Sequence, residues 1–141
     1  MRIREYRQLG SRNYSILSPP DWFTVGGRVS PAPLLDVSAQ ELWLLWLYIA
    51  ENAPRTHCLE ANSETLTSHH SQKTRYLHLP DDIWAEIVPL GEQQSTIAIL
   101  SRSRYGMIDF GINQKRVARW TTRLINRTKA WKRLSGMREG V

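Results

Sequence analysis

Residues 83–88 and 95–101 are two runs of alternating apolar side chains joined by Leu90-Gly91-Glu92-Gln93-Gln94. In an extended chain successive side chains point to opposite faces, so Ile83, Ala85 and Ile87 share one face and Trp84, Glu86 and Val88 the other. A short turn-rich link between two such runs closes an antiparallel hairpin. Two further strands are expected over 56–60 and 65–72, with Asn62-Ser63 as their turn. In the second of these, His69 and His70 fall on opposite faces. Pro89, at a strand end, points to an exposed edge nearby.

Helices bracket this sheet. Ser38-Ala39-Gln40-Glu41 fits a capping box, in which the Ser38 hydroxyl accepts the Glu41 amide and the Glu41 side chain reaches back. The helix it opens, Leu42 to Ala50, is apolar on every face and cannot continue past Pro54. Such a helix is buried within the chain or shared with a second subunit, and Trp43 and Trp46 are the residues that would make an oligomer contact. A second helix is expected from Asn113 to about Lys132, with Val117, Trp120, Leu124 and Trp131 as its core stripe. The fold class is therefore α+β: an antiparallel sheet of about four strands packed by two helices, in the order helix, strands, helix. Residues 36–134 form this single domain. Residues 1–35, broken by Pro19-Pro20, Gly26-Gly27, Pro31 and Pro33, read as an irregular arm with room for one short strand. Residues 135–141 read as a flexible basic tail.

Charge is divided unevenly. The net charge is +6, yet residues 114–141 carry +8 and residues 1–113 carry −2. The field around the last helix favours an anionic partner: an acidic protein face, an anionic phospholipid surface or nucleic acid. Arg119, Arg123 and Arg127, with Trp131, are the residues expected to dock it. Cys58 is the only cysteine, so no disulfide can form within the chain, and its place among apolar residues predicts a buried thiol. No run approaches the ~18 apolar residues of a membrane span. A cytoplasmic protein, at most peripheral to a membrane, is the expectation.

The densest run of special residues is 97–120, IAILSRSRYGMIDFGINQKRVARW. Arg102, Arg104 and Arg116 lie near a helix start, with Asn113 at the expected cap, which gives the elements of an anion site. An equally coherent reading is structural: Asp109 pairs with Arg104 or Arg116, Asn113 caps the helix and the glycines turn the chain. If the strand continues, Arg102 and Arg104 share one face while Ser101 and Ser103 share the other, so all four cannot serve one ligand.

The run S-R-S-R-Y-G-x-x-D-F-G-I-N-x-x-R-V follows an STIAIL strand and the earlier segment Leu79-Pro80-Asp81-Asp82. It resembles the signature of the bacterial and plastid family called domain of unknown function 1499. The matching positions are Ser101, Ser103, Arg104, Gly106, Asp109, Gly111, Asn113 and Arg116, and the resemblance extends over roughly residues 34–124. Ile108 stands where members carry a small hydroxyl residue, and residues 1–35 have no counterpart of the Cys-Val-Ser-Ser segment. The resemblance implies an α+β domain and no established activity.

No catalytic set emerges. The glycine spacing matches neither a phosphate-binding P-loop nor a dinucleotide fingerprint. His57 and His70 with Asp81, Asp82 or Glu60 could be gathered across strands, but no recognised metal-ligand spacing supports them. Ser103, His70 and Asp109 lack a nucleophile elbow. Nothing marks a sequence-reading nucleic-acid fold. A non-enzymatic binding or accessory protein without a cofactor is the expectation, with a small-anion binder or enzyme at the Ser-Arg loop as the alternative.

Overall fold

The computed structural model describes residues 1–7, 13–105 and 111–139. Six strands form one sheet: β1 (Tyr14–Ser18), β2 (Val29–Pro31), β3 (Thr56–Asn62), β4 (Thr67–Lys73), β5 (Pro80–Gly91) and β6 (Gln94–Ser103). Their spatial order is β2-β1-β6-β5-β4-β3. β1 and β2 run parallel, with Ile16 beside Val29, and every other neighbouring pair is antiparallel.

The four-stranded, purely antiparallel expectation is thus corrected to six strands in a mixed sheet, and a short 3-10 helix at Ile3–Glu5 and two strands precede the first α-helix. Both extra strands come from the segment read as irregular. β1 is buried at all five positions because it lies inside the sheet with both faces covered, so it shows no alternation to read. β2 has only three residues and ends in Pro31, which an edge strand tolerates because its outward N–H has no ladder partner. Pro89 lies within β5, opposite Ser95, beyond the last β4 pairing at Glu86, where one side of the strand has no ladder to interrupt.

One face of the sheet carries the main core. Ile83, Ala85 and Ile87 of β5 and Ile97 and Ile99 of β6 pack there against α1 (Ala39–Glu51) and α2 (Ile112–Glu139). At its centre the Trp46 and Trp120 rings lie 5.6 Å apart and tilted by 55°, and Trp46 Nε1 donates to Ser68 Oγ at 2.8 Å. The other face is closed by the first residues of the chain. Ile3 and Tyr6 cover Tyr14, Ile16, Ala98 and Leu100, and the Ile3 amide donates to the buried Glu86 carboxylate at 2.8 Å.

The capping box forms as read, with the Glu41 amide 3.1 Å from Ser38 Oγ and the Ser38 amide 3.3 Å from Glu41 Oε1. Trp43 and Trp46 are 6% and 0% exposed, both inside the chain's own core, so neither is available to a second subunit. The apolar side chains that α1 leaves exposed are Leu44 and Tyr48. α2 continues to Glu139, past the expected end near Lys132, and is about 42 Å long at 1.5 Å per residue. Gly111 precedes it at φ +75°, a backbone region that costs glycine little. Asn113 is inside the first turn rather than at the cap. Cys58, expected to be buried, is exposed, because β3 forms the sheet edge.

Candidate functional site

The family-signature residues divide between the two faces of the sheet. On the helix side, Ser101, Ser103, Asn113 and Arg116 meet in one buried network. Arg116 Nη1 donates to Ser101 Oγ at 3.0 Å and to Asn113 Oδ1 at 2.9 Å. Its Nη2 donates to Asp81 Oδ2 at 2.7 Å, with only 3% of either side chain exposed, and its Nε donates to Gln72. Ser101 Oγ donates to Asn113 Oδ1 at 2.7 Å, and Asn113 Nδ2 reaches Ser103 Oγ at 3.0 Å and the Asn13 carbonyl at 3.1 Å. A buried guanidinium requires both a counter-charge and a full set of acceptors, and this network supplies them. It fastens the start of α2 to β4, β5 and β6 and to Asn13, just ahead of β1.

Arg102 and Arg104 lie on the opposite face. The Arg104 guanidinium grips Asp82 through Nε at 3.2 Å and Nη2 at 2.8 Å, and His69 Nε2 lies 2.8 Å from the same carboxylate. Burial pushes the Asp82 carboxyl up, but the hydrogen bonds from Arg104 and His69 outweigh it and hold the pKa below its ordinary value. His69 stacks on Trp84 at 4.6 Å, and the Arg102 guanidinium lies 5.2 Å from the Trp84 ring centre and 5.7 Å from that of Tyr6. Arg102, Arg104, Asn113 and Arg116 therefore do not converge on one ligand. Gly106 and Asp109 lie outside the described residues. Among the described residues, Arg104 and Arg116 have Asp82 and Asp81 as their carboxylate partners.

A cleft of about 710 Å³ opens over the buried pair. Asp81, Ser103 and Arg116 line its inner end. One wall is α2, with Ile112, Lys115, Arg119, Trp120 and Arg123; the other follows β4 into the turn to β5, with Lys73, Arg75, Tyr76, Leu77 and Leu79. Lys115, Arg119, Arg123, Lys73 and Arg75 form no ion pair among the described residues. Tyr76, Leu77 and Tyr105 stand at the lip, 82%, 73% and 57% exposed. The walls thus present unbalanced positive charge beside uncovered apolar surface, a combination suited to an anion with an apolar body.

The four residues expected to dock a partner separate here. A row of positions four apart drifts by roughly 40° per step around a helix of 3.6 residues per turn. Arg119 and Arg123 face the cleft, whereas Arg127 turns to α1, its guanidinium 4.2 Å from the Tyr48 ring centre, and Trp131 donates to Glu41. The β4–β5 wall went unread because its members, spread over residues 73–79, show no periodicity. The tight Lys-Thr-Arg-Tyr-Leu-His-Leu run of charge and rings between two strands is the signal that could have found it.

His70 does not join Asp81, Asp82 or Glu60. It is fully buried on the helix side of β4, opposite Cys58 on β3, and Glu51 at the end of α1 closes the group. Burial, then the neighbouring His69, pushes its pKa down to about 4. Desolvation and the Glu51 charge push the Cys58 thiol up. Thiol and imidazole thus meet as neutral groups, not as the thiolate–imidazolium pair of a cysteine nucleophile.

Among the described residues no helix is long and apolar enough to cross a membrane. No curated protein matches the chain significantly. The family described as Protein of unknown function (DUF1499) matches residues 27–124, a span that holds β2 to β6, both helices' core-facing turns and every side chain of the buried network. By that match over more than half of its length, the chain belongs to the DUF1499 family.

Proposed function

We propose that this protein is a non-enzymatic binding protein whose ligand is an anionic amphiphile, a phosphate- or carboxylate-bearing molecule with an apolar body, held in the cleft between α2 and the β4–β5 turn. The observation that carries this reading is the lining itself: Lys115, Arg119 and Arg123 stand without acidic partners among the described residues, facing the exposed Tyr76 and Leu77. Cationic side chains in a concave, partly apolar wall attract a negative headgroup more strongly than the same charges on an open surface, because the low-dielectric walls focus the field. The apolar lip gives the remainder of the molecule a place to leave water. The buried Arg116 at the inner end is already committed to Asp81, so the headgroup contacts fall to the α2 wall.

Anilinonaphthalene sulfonate, an anionic aromatic probe whose emission rises on apolar contact, tests this directly. The folded protein should enhance its fluorescence, dodecyl phosphate should compete, and neutral dodecyl maltoside should not. The double variant Arg119→Glu/Arg123→Glu should lose roughly tenfold or more in affinity, while Arg127→Glu, outside the cleft, should bind like the parent. Equal binding by the double variant, or equal competition by the neutral detergent, rejects the reading.

A further inference from the structure

We propose that Glu51, Cys58 and His70 form a zinc site at the C-terminal end of α1, with three protein donors and a fourth position open to solvent. It is independent of the cleft and of any ligand held there. One carboxylate oxygen, the thiol sulfur and one imidazole nitrogen all lie within 4.8 Å of one another. The arrangement follows from register: Cys58 and His70 are directly opposed on adjacent antiparallel strands, which puts their side chains on the same face of the sheet. The register shifts immediately afterwards, between Cys58 and Glu60, so Glu60 does not follow Cys58 into the group.

His70 is the observation that asks for a ligand. It is 0% exposed, and neither Nδ1 nor Nε2 has a hydrogen-bond partner among the described residues. Buried polar nitrogens are nearly always satisfied, and a metal ion would take up one of the two from the direction of the thiol and the carboxylate. The end of α1 adds the partial negative charge of its terminal carbonyls, which favours a cation there.

The donor types select the metal. Calcium and magnesium take oxygen ligands, and an all-sulfur set suits copper(I), whereas one sulfur, one nitrogen and one oxygen match zinc. Zinc bonds of about 2.3 Å to sulfur and about 2.0–2.2 Å to nitrogen and oxygen place tetrahedral donors roughly 3.3–3.7 Å apart. Closing the group to that size requires about an ångström of movement, and Glu51 and Cys58 are both exposed and able to supply it while His70 stays fixed. The same exposure leaves the fourth position accessible to water. His57, the neighbour of Cys58 along β3, points to the other face and takes no part.

The test uses the full chain, reduced and metal-free, titrated with cobalt(II) as a spectroscopic substitute and with zinc(II) in competition with a chromophoric chelator. The expected result is one equivalent bound, a near-ultraviolet thiolate-to-cobalt charge-transfer band, and a zinc-dependent rise in Tm that a chelator reverses. Cys58→Ala and Glu51→Gln alter exposed side chains, so both should fold. Cys58→Ala should abolish the thiolate band, and each variant should weaken zinc binding by roughly a hundredfold. His57→Ala should change neither. Absence of the band in the folded parent, or zinc affinity that Cys58→Ala leaves intact, overturns the proposal.

Discussion

Asp81 and Asp82 are neighbours in sequence, both are buried, and each pairs with an arginine of the same signature, yet they face opposite sides of the sheet. Asp81 points to the helix side and meets Arg116, with 3% of each side chain exposed. Asp82 points to the arm side and meets Arg104, whose side chain is 41% exposed. The pleat alone separates them. The first pair sits inside a network with Ser101, Asn113 and Gln72, and it holds a helix to a sheet. The second pair sits at the rim, against His69 and near the Trp84 and Arg102 stack. One chemical pairing therefore serves as a fully buried anchor on one face and, on the other, as a clamp whose carboxylate is buried but whose guanidinium reaches solvent.

The sharpest way to break this comparison is to remove the two arginines separately. Arg116→Ala leaves the Asp81 carboxylate buried without its cation and should cost about 3–5 kcal/mol, read as a large drop in the midpoint of urea unfolding. Arg116→Lys keeps the charge but not the fork that reaches Ser101, Asn113 and Gln72, and should restore less than half of the loss. A full rescue by lysine would show that charge alone holds the junction. Arg104→Ala should cost only about 1 kcal/mol, because His69 remains on Asp82 and the Arg104 side chain is itself 41% exposed.

Acid unfolding sharpens the contrast. The Asp82 carboxyl has a lower pKa folded than its ordinary ~3.9 unfolded. Between those values the unfolded chain binds more protons than the folded one. The stabilisation is therefore complete above the ordinary value and is lost as pH falls through the depressed folded one. Arg104→Ala should flatten the fall of Tm below about pH 4 relative to the parent; parallel curves would remove Arg104 as the cause. The smallest effect belongs to a residue outside both pairs. Arg127→Ala, which removes only the contact over the Tyr48 ring, should cost less than about 1 kcal/mol in thermal unfolding.

Local rules made much of the architecture legible. Ser38 and Glu41 announce the start of α1, Pro54 bounds its end, and the alternation of Ile83, Ala85 and Ile87 reveals which face of β5 is covered. β1 escaped because full burial erases alternation, and β2 because three residues ending in proline resemble a loop. The site was less accessible for a different reason. That Arg116 meets Asp81 and Arg104 meets Asp82 depends on strand register across 35 and 22 residues of sequence, which no local pattern encodes. The strand faces did separate Arg102 and Arg104 from Ser101 and Ser103, but the acidic partners lay in the preceding strand. Cys58, read as core from its neighbours, is exposed because edge position is a property of the whole sheet.

The strand order has a consequence for assembly. One border of the sheet is β2, three residues long and ended by a proline that offers no amide, so little can be added beside it. The other border is β3, seven residues long with Leu59 53% exposed, interrupted by the irregular register between Cys58 and Glu60. The sheet can thus be extended by a visiting strand from one side only. That side is guarded by a kink and by the Glu60 charge, and no further strand pairs with it among the described residues. Regularising the kink or neutralising that charge would turn a tolerated border into a template for polymer growth.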